Sequence, residues 1–126
     1  MNDEQPQEKN QVDILFFDIG DSVYGTDASQ VLRIDRSLPE DITLPDLGQP
    51  HRGHRAIVFD TPEGEGHLKV DAVHAVRTIP FSALRRMPPT AGAAAYAVGV
   101  FLEEERTVLL IDLVETARTQ GTQGRH

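Results

Sequence analysis

Short runs of apolar residues, separated by glycine, proline and acidic residues, recur along the whole chain. In the first run, residues 14, 16 and 18 would face one side and residues 15, 17 and 19 the other, a pattern that favours a strand over a helix. The turn residues Gly20-Asp21-Ser22 follow, and Ser22 to Thr26 predicts a second strand. The beginning of the chain therefore predicts a β-hairpin.

The later apolar runs predict further strands at 31–34, 56–60, 67–71, 96–102 and 107–111. Two connections carry turn residues: 61–66 has an early proline and later glycines, and 103–106 is a run of charges. The segment 72–78 is compatible with either a strand or a helix, and 81–87 predicts one short helical turn. Seven or eight short strands with few helices predict an all-β barrel or sandwich.

Helix signals occur at two places. Asp27 is a good N-cap for a single helical turn immediately after it. Asp112, with Glu115 three residues later, resembles a capping box, and it predicts a short terminal helix that ends at about Arg118.

The ends and the middle of the chain lack regular patterns. Residues 1–11 predict a disordered leader, 12–118 the folded domain, and 119–126 a flexible tail. Inside the domain, Ser37 to Arg55 holds three prolines and two glycines and predicts no regular element. Such a connection is long for a small domain, so we expect either a functional loop or a place where structure has been lost.

Composition and charge exclude several classes of function. Twenty acidic residues against twelve basic ones give a net charge of −8, which opposes direct nucleic-acid binding. The absence of cysteine removes disulfides, thiol nucleophiles and cysteine-ligated metals. No stretch approaches the roughly 20 apolar residues of a membrane span, and the polar start does not resemble a secretory signal. We therefore expect a cytoplasmic protein without membrane insertion.

Candidate catalytic chemistry is sparse. His51, His54 and His67 could in principle ligate a metal, but Arg52 and Arg55 lie among them and their charge opposes a cation. The chain has no G-x-S-x-G nucleophile elbow and no phosphate-binding loop, and no cofactor is expected. These observations favour a binding module over an enzyme.

Several segments in order resemble the CheW-like family of chemotaxis coupling proteins. Ile14 to Asp27 is similar to the opening of that domain, in which an apolar strand runs into Gly-Asp and then into Tyr-Gly-x-Asp. Val31-Leu32-Arg33-Ile34 is similar to the strand that follows. His67 to Val76 resembles the Val-Asp-x-Val signature of the family, and 97–100 with 108–113 resemble its closing hairpin and helix.

The resemblance implies a fold and a function. CheW-like adaptors consist of two intertwined small SH3-like β-barrels, and a short C-terminal helix is expected here. They are not enzymes, and they connect the signalling tips of methyl-accepting chemoreceptors to the histidine kinase CheA. The expected partner of this chain is therefore a chemoreceptor within a cytoplasmic signalling array.

The family holds its receptor in an apolar groove near the boundary of the two barrels. The matching positions here, called the groove residues below, are Ala28, Val31, Arg33, Val73 and Val76. Arg33 stands where the family usually has glutamate, so a charged receptor contact would be inverted or lost. The alternative is that the valines are ordinary core residues.

The middle of the chain departs from the family. Between Leu44 and Ala56 the family has two more strands, which are missing here, so the second subdomain is expected to be truncated. The kinase docks partly through that region, and CheA binding is therefore expected to be weak or absent. The shortened pattern is similar to the divergent CheW-like proteins of the myxobacterial Frz systems.

Two alternatives from other classes stay open. The first is a small metal-dependent or hydrolytic enzyme that uses His51, His54 and His67. The second is an interaction module outside chemotaxis, in which the sheet edge left by the missing strands would mediate dimerisation.

Overall fold

Two sheets and a C-terminal helix make up the protein in the computed structural model, which describes residues 10–86, 96–103 and 105–124. The regular elements of these residues are β1 (Gln11–Ile19), β2 (Ser22–Asp27), β3 (Val31–Arg36), β4 (Arg55–Thr61), β5 (Gly64–Val70), β6 (Ala72–Pro80), β7 (Leu84–Arg86), β8 (Ala97–Glu103), β9 (Arg106–Ile111) and α1 (Leu113–Gly124). Short 3-10 turns occupy Ala28–Gln30, Pro45–Leu47 and Phe81–Ala83.

The larger sheet has six strands in the order β6-β1-β2-β9-β8-β7. The predicted β1–β2 hairpin is present, with Ile19 opposite Ser22. The segment 72–78, for which the sequence allowed either a strand or a helix, belongs to the edge strand β6. This strand pairs antiparallel with β1. Strand β2 pairs in parallel with β9, so the first hairpin of the chain joins the last one.

The smaller sheet has three strands in the order β3-β4-β5. Strands β4 and β5 form the predicted hairpin, in which Thr61 lies opposite Gly64. Gly64 has φ 123°, a backbone conformation that residues with a side chain rarely adopt. The Thr61 hydroxyl donates to the Gly64 carbonyl at 2.7 Å and closes the turn.

One core lies between the two sheets and is called the inter-sheet core below. It takes residues from both sheets, from the segment between β3 and β4, and from α1: Leu15, Phe17, Ile19, Tyr24, Leu44, Ile57, Phe59, Leu68, Val70, Tyr96, Ile111 and Leu113. Leu15, Phe17 and Ile19 of β1 enter this core from one face of the strand, the face that the alternation in the sequence assigned to them together.

A second core is formed within the six-stranded sheet alone. It contains the even-numbered residues Ile14 and Phe16 of β1 together with residues of β6, β8 and β9. Ile79 of one edge strand belongs to this core, and Leu84 of the opposite edge strand packs against it. Since both edges reach the same cluster, the sheet must curl into a barrel. The all-β expectation with a short C-terminal helix is therefore confirmed.

Some element boundaries differ from the predictions. Helix α1 ends at Gly124 rather than near Arg118, so it includes most of the predicted tail at 119–126. The Asp112 carboxylate accepts from the backbone N–H groups of Val114 and Glu115 at 3.0 and 3.2 Å, which confirms its capping role. The predicted turn at 81–87 is a 3-10 turn followed by β7.

The limits of the described residues bear on three further predictions. The predicted leader at 1–11 lies mostly outside them, although Gln11 already belongs to β1. The loop expected at 88–92 lies outside them entirely, and so do the last two residues of the tail.

Candidate functional site

Three of the four apolar groove residues pack against the inter-sheet core, which lies between the two sheets. Ala28, Val31 and Val73 are partly buried and pack against the inter-sheet core. Val76 is 50% exposed, although it lies on the same strand as Val73. The site therefore combines anchored small side chains with one apolar side chain open to solvent.

A β-bulge places Val73 and Val76 on the same face of β6. Side chains alternate along a strand, so two residues three positions apart would normally point to opposite faces. Here Val73 lies opposite Phe17 and Val76 opposite Leu15, because the register between β1 and β6 shifts by one residue between these pairs. Phe17 and Leu15 both enter the inter-sheet core, so both valines lie on that side of the sheet.

Ala28 is positioned by a capped 3-10 turn. The Asp27 carboxylate accepts from the Ser29 backbone N–H at 2.9 Å, as the sequence predicted. Gln30, the last residue of the turn, accepts from the Leu113 backbone N–H at 3.1 Å through its amide oxygen. Hydrogen bonds therefore hold both ends of the turn: the first to the capping residue Asp27, and the last to the beginning of α1.

Arg33 does not face the groove as a free charge. Its guanidinium donates two hydrogen bonds to Glu65, at 3.1 and 2.9 Å, and one to Asp35 at 2.9 Å. These hydrogen bonds raise the pKa of Arg33, and the bonds from Arg33 lower the pKa of Glu65 although partial burial opposes that shift. Arg33, at the position where the resemblance implies a glutamate, is thus engaged by two carboxylates of its own chain.

Asp71 organises the surrounding loops through its carboxylate, a role that the sequence alone did not indicate. This residue connects β5 to β6, and its carboxylate accepts four backbone N–H groups. The donors are Gly20 at 2.7 Å, His51 at 2.9 Å, Arg52 at 2.5 Å and Gly53 at 2.6 Å. Burial by itself raises the pKa of Asp71, but the four backbone donors lower it to about 2.

Asp71 therefore holds three parts of the chain together: the β1–β2 turn, the segment before β4, and the β5–β6 junction. The sequence contained a signal for it, since it is the acidic residue of the Val-Asp-x-Val stretch. Its role could not be derived there, because all four donors are backbone groups that any residue type would supply.

The three candidate metal ligands are not gathered into one site. His51 lies 3.8 Å from Asp21, measured from Nδ1 to the carboxylate, and His67 lies 3.8 Å from Glu65. His54 lines a concavity together with arginines. Across the described ranges, no group of three or more histidine or acidic side chains could hold a metal ion. Over the same residues, no helix is both long and apolar enough to cross a membrane.

The two sheets and the terminal helix define a protein of the CheW fold. The scaffolding protein TtCheW from Thermoanaerobacter tengcongensis superposes with a TM-score of 0.64 at 21% sequence identity, over 79% of this chain and 88% of that one. The Frizzy aggregation protein FrzB of Myxococcus xanthus is 83% identical over 110 residues, which are 87% of this chain and 98% of FrzB. The chain belongs to the FrzB family, and no protein-family model matches it. The identification as a divergent CheW-like protein is confirmed.

Proposed function

We propose that the protein is a non-catalytic adaptor of a cytoplasmic chemotaxis-type signalling array, which binds the signalling tip of a methyl-accepting chemoreceptor through its groove residues. The observation that carries the proposal is the position of Val76. This side chain is half exposed on the edge strand β6, on the same face as Val73, which packs against the inter-sheet core.

The groove has the chemistry of a helix-binding surface. Its valines lie on the edge strand β6 and at the start of β3, the edge strand of the smaller sheet. Val73 lies opposite the fully buried Phe17 and Val31 opposite the fully buried Phe59, so these valines are held on a preformed surface. An amphipathic helix can place apolar side chains in such a groove, and burying the exposed half of one valine contributes about 1 kcal/mol.

Arg33 refines the proposal. Because Asp35 and Glu65 already engage its guanidinium, the rim of the groove carries a paired charge cluster. We infer that receptor recognition here depends on apolar contact rather than on the charged contact typical of the family.

We further propose that binding to a CheA-type kinase is weak or absent. By the family resemblance, this kinase docks partly through strands that would lie between Leu44 and Ala56, mostly within the irregular segment 37–54. In this chain that region forms one 3-10 turn and a single bridge from Ile42 to Leu68 of β5. It presents no strand pair to a partner.

The receptor test is a binding titration with the cytoplasmic signalling tip of a chemoreceptor from the same organism. We expect Val76→Glu to weaken binding at least tenfold. Val98→Glu is the matched control, because Val98 is a valine of similar exposure, 44%, on β8. It should bind within twofold of the natural protein. Equal binding by the Val76 variant, with an unchanged thermal transition, would contradict the groove proposal.

The kinase test is a pull-down with a CheA-type kinase, in which a full-length CheW serves as the positive control. We expect retention far below that of CheW. Retention equal to that of CheW would overturn the kinase part of the proposal and leave the receptor part standing.

A further inference from the structure

A concavity of about 570 Å³ lies at the end of the smaller sheet where β3 ends and β4 begins, and most of its lining residues are basic. The basic side chains around it are Arg36, Arg52, His54 and Arg55, and all four residues are exposed. The chain as a whole has a net charge of −8, so this patch is opposite in sign to the protein that carries it.

The arginines of this patch form no ion pair within the described residues. Within the described residues, none of the three guanidiniums lies within ion-pair distance of a carboxylate, whereas Arg33 and Arg77 are each paired. The acidic residue of the concavity, Asp71, has its oxygens occupied by four backbone N–H groups.

The strand register of the smaller sheet brings two positive charges of the patch together, which is electrostatically unfavourable when no anion is bound. Arg36 on β3 lies directly opposite Arg55 on β4. Like charges at directly opposite positions of an antiparallel pair repel and destabilise the sheet. A bound anion would remove that repulsion.

The backbone that carries these arginines is fixed. Arg52 donates its N–H to Asp71, and the Ser37 backbone N–H donates to the His54 carbonyl at 3.0 Å. The Ser37 hydroxyl also donates to the Gly53 carbonyl. The guanidiniums therefore extend from a preorganised frame, which reduces the entropy lost when they bind a ligand.

We propose that this patch, Arg36, Arg52, His54 and Arg55, is a second docking surface, and that it binds a short acidic segment of a partner protein bearing two or three carboxylates. Guanidinium groups match carboxylates in a bidentate geometry, and three of them suit a short segment. The net negative charge of the rest of the chain opposes a long polyanion such as a nucleic acid.

The patch is separate from the groove residues. Along β3, Arg36 lies about 16 Å of extended strand from the apolar groove residue Val31 and about 10 Å from Arg33, whose guanidinium is already engaged by Asp35 and Glu65. A partner could therefore occupy the patch while the groove is filled, and the test below does not depend on receptor binding.

The test uses the full chain and NMR titration with an acetylated hexaglutamate peptide, with hexaglutamine as the uncharged control. We expect hexaglutamate alone to shift the amide signals of residues 36–37 and 52–55. The triple variant R36Q/R52Q/R55Q should bind at least tenfold more weakly, and each single variant about two- to fivefold. Arg86→Gln, which changes an exposed arginine on β7, should bind within twofold of the natural protein.

Three outcomes would overturn the proposal: no shifts with hexaglutamate, shifts centred elsewhere, or unchanged affinity in the triple variant. Tighter binding of inorganic phosphate or of a single-stranded oligonucleotide than of hexaglutamate would also overturn it, in favour of a phosphate site. A urea titration checks folding. Arg55→Gln should not lower the urea midpoint, because it removes a like-charge pair.

Discussion

The six-stranded sheet and the three-stranded sheet share the inter-sheet core but are held in place differently. The large sheet curls so that Ile79 and Leu84, on its opposite edge strands, both contact the second core, which lies within that sheet. Among the described residues, the small sheet forms no separate core cluster, although Ala56 and Val58 of β4 are fully buried. It is completed by the irregular segment 37–54, which Asp71 fastens through backbone hydrogen bonds and Leu44 anchors by burial. The irregular segment of the small sheet is therefore held mainly by two side chains, Asp71 and Leu44, rather than by strand pairing.

The strongest expected effect comes from removing the apolar anchor of that segment. Leu44 is 1% exposed and lies in the inter-sheet core, although it belongs to no strand. We expect Leu44→Ala to lower the free energy of unfolding by about 3 kcal/mol, from lost burial and the cavity left behind. Urea denaturation measures it, and Leu38→Ala, at a 48% exposed position of the same segment, should change stability by less than about 0.5 kcal/mol. A loss below about 1 kcal/mol for Leu44→Ala would show that the segment is not part of the core.

Gly25 in the large sheet and Gly66 in the small sheet allow a comparison of how closely side chains pack against the backbone in the two sheets. A Cβ on Gly66 would lie 2.6 Å from the ring of Phe59, which is fully buried. A Cβ on Gly25 would lie 2.8 Å from a methyl of Ile14 and 2.9 Å from one of Leu110. We expect Gly66→Ala to cost about 2 kcal/mol and Gly25→Ala about 1 kcal/mol, because methyl groups can move aside more easily than a ring. Thermal denaturation of both variants tests this order, and the reverse order would contradict it.

The next effect is the loss of the polar clamp. Asp71→Asn replaces one acceptor oxygen by a donor, which must then face backbone N–H groups. We expect a loss of about 1–2 kcal/mol, together with faster amide exchange at Gly20 and at residues 51–53. Asp60→Asn, at an exposed position of β4, is the control and should leave those amides protected. Unchanged exchange in the Asp71 variant would mean that the clamp does not hold the segment.

The same clamp predicts a pH dependence. The backbone donors hold the pKa of Asp71 at about 2 in the folded protein, against an ordinary value of 3.8. Its ionisation therefore stabilises the fold above pH 3.8, and that contribution is lost as the pH falls towards 2. Because solvent reaches the site, we expect a contribution on the order of 1 kcal/mol. The difference in urea midpoint between the natural protein and Asp71→Asn should shrink over this window, and a constant difference would refute the assignment.

The smallest effect is expected at the surface ion cluster of the small sheet. Arg33 and its partners Asp35 and Glu65 are each more than 40% exposed in their side chains. Exposed ion pairs contribute little, so Arg33→Gln should leave the urea midpoint unchanged within error, both at low salt and in 1 M NaCl. A clear shift that disappears in 1 M NaCl would show that the cluster stabilises the sheet after all.

The comparison also explains which parts of the fold were predictable. Strand β1 and the β4–β5 hairpin were predicted because their order is local: alternation in one case and a glycine-bearing turn in the other. The segment 72–78 was ambiguous because Val73 and Val76 lie three residues apart among polar residues, a spacing that suits a helix as well. Only pairing with the distant β1, with its bulge, makes this spacing a strand.

The segment 37–54 could not be predicted for a different reason. Its order depends on Asp71, on the Tyr24 hydroxyl that donates to the Leu47 carbonyl at 2.8 Å, and on the bridge between Ile42 and Leu68. These contacts join residues that lie far apart in the chain and leave no periodic pattern. For the groove residues, the sequence supplied positions through a family resemblance, but not the exposure that separates Val76 from Val73.

The parallel pairing of β2 with β9 has a consequence for how the chain is made. Thr26 donates its buried hydroxyl to the Ile111 carbonyl at 2.9 Å, across 85 residues of sequence. The middle of the large sheet is therefore complete only after residue 111 has left the ribosome. Until then, the outer edge of β2 is an unpaired strand edge in the nascent chain, open to pairing with other chains. The large sheet can thus close only after the β8–β9 hairpin has been translated.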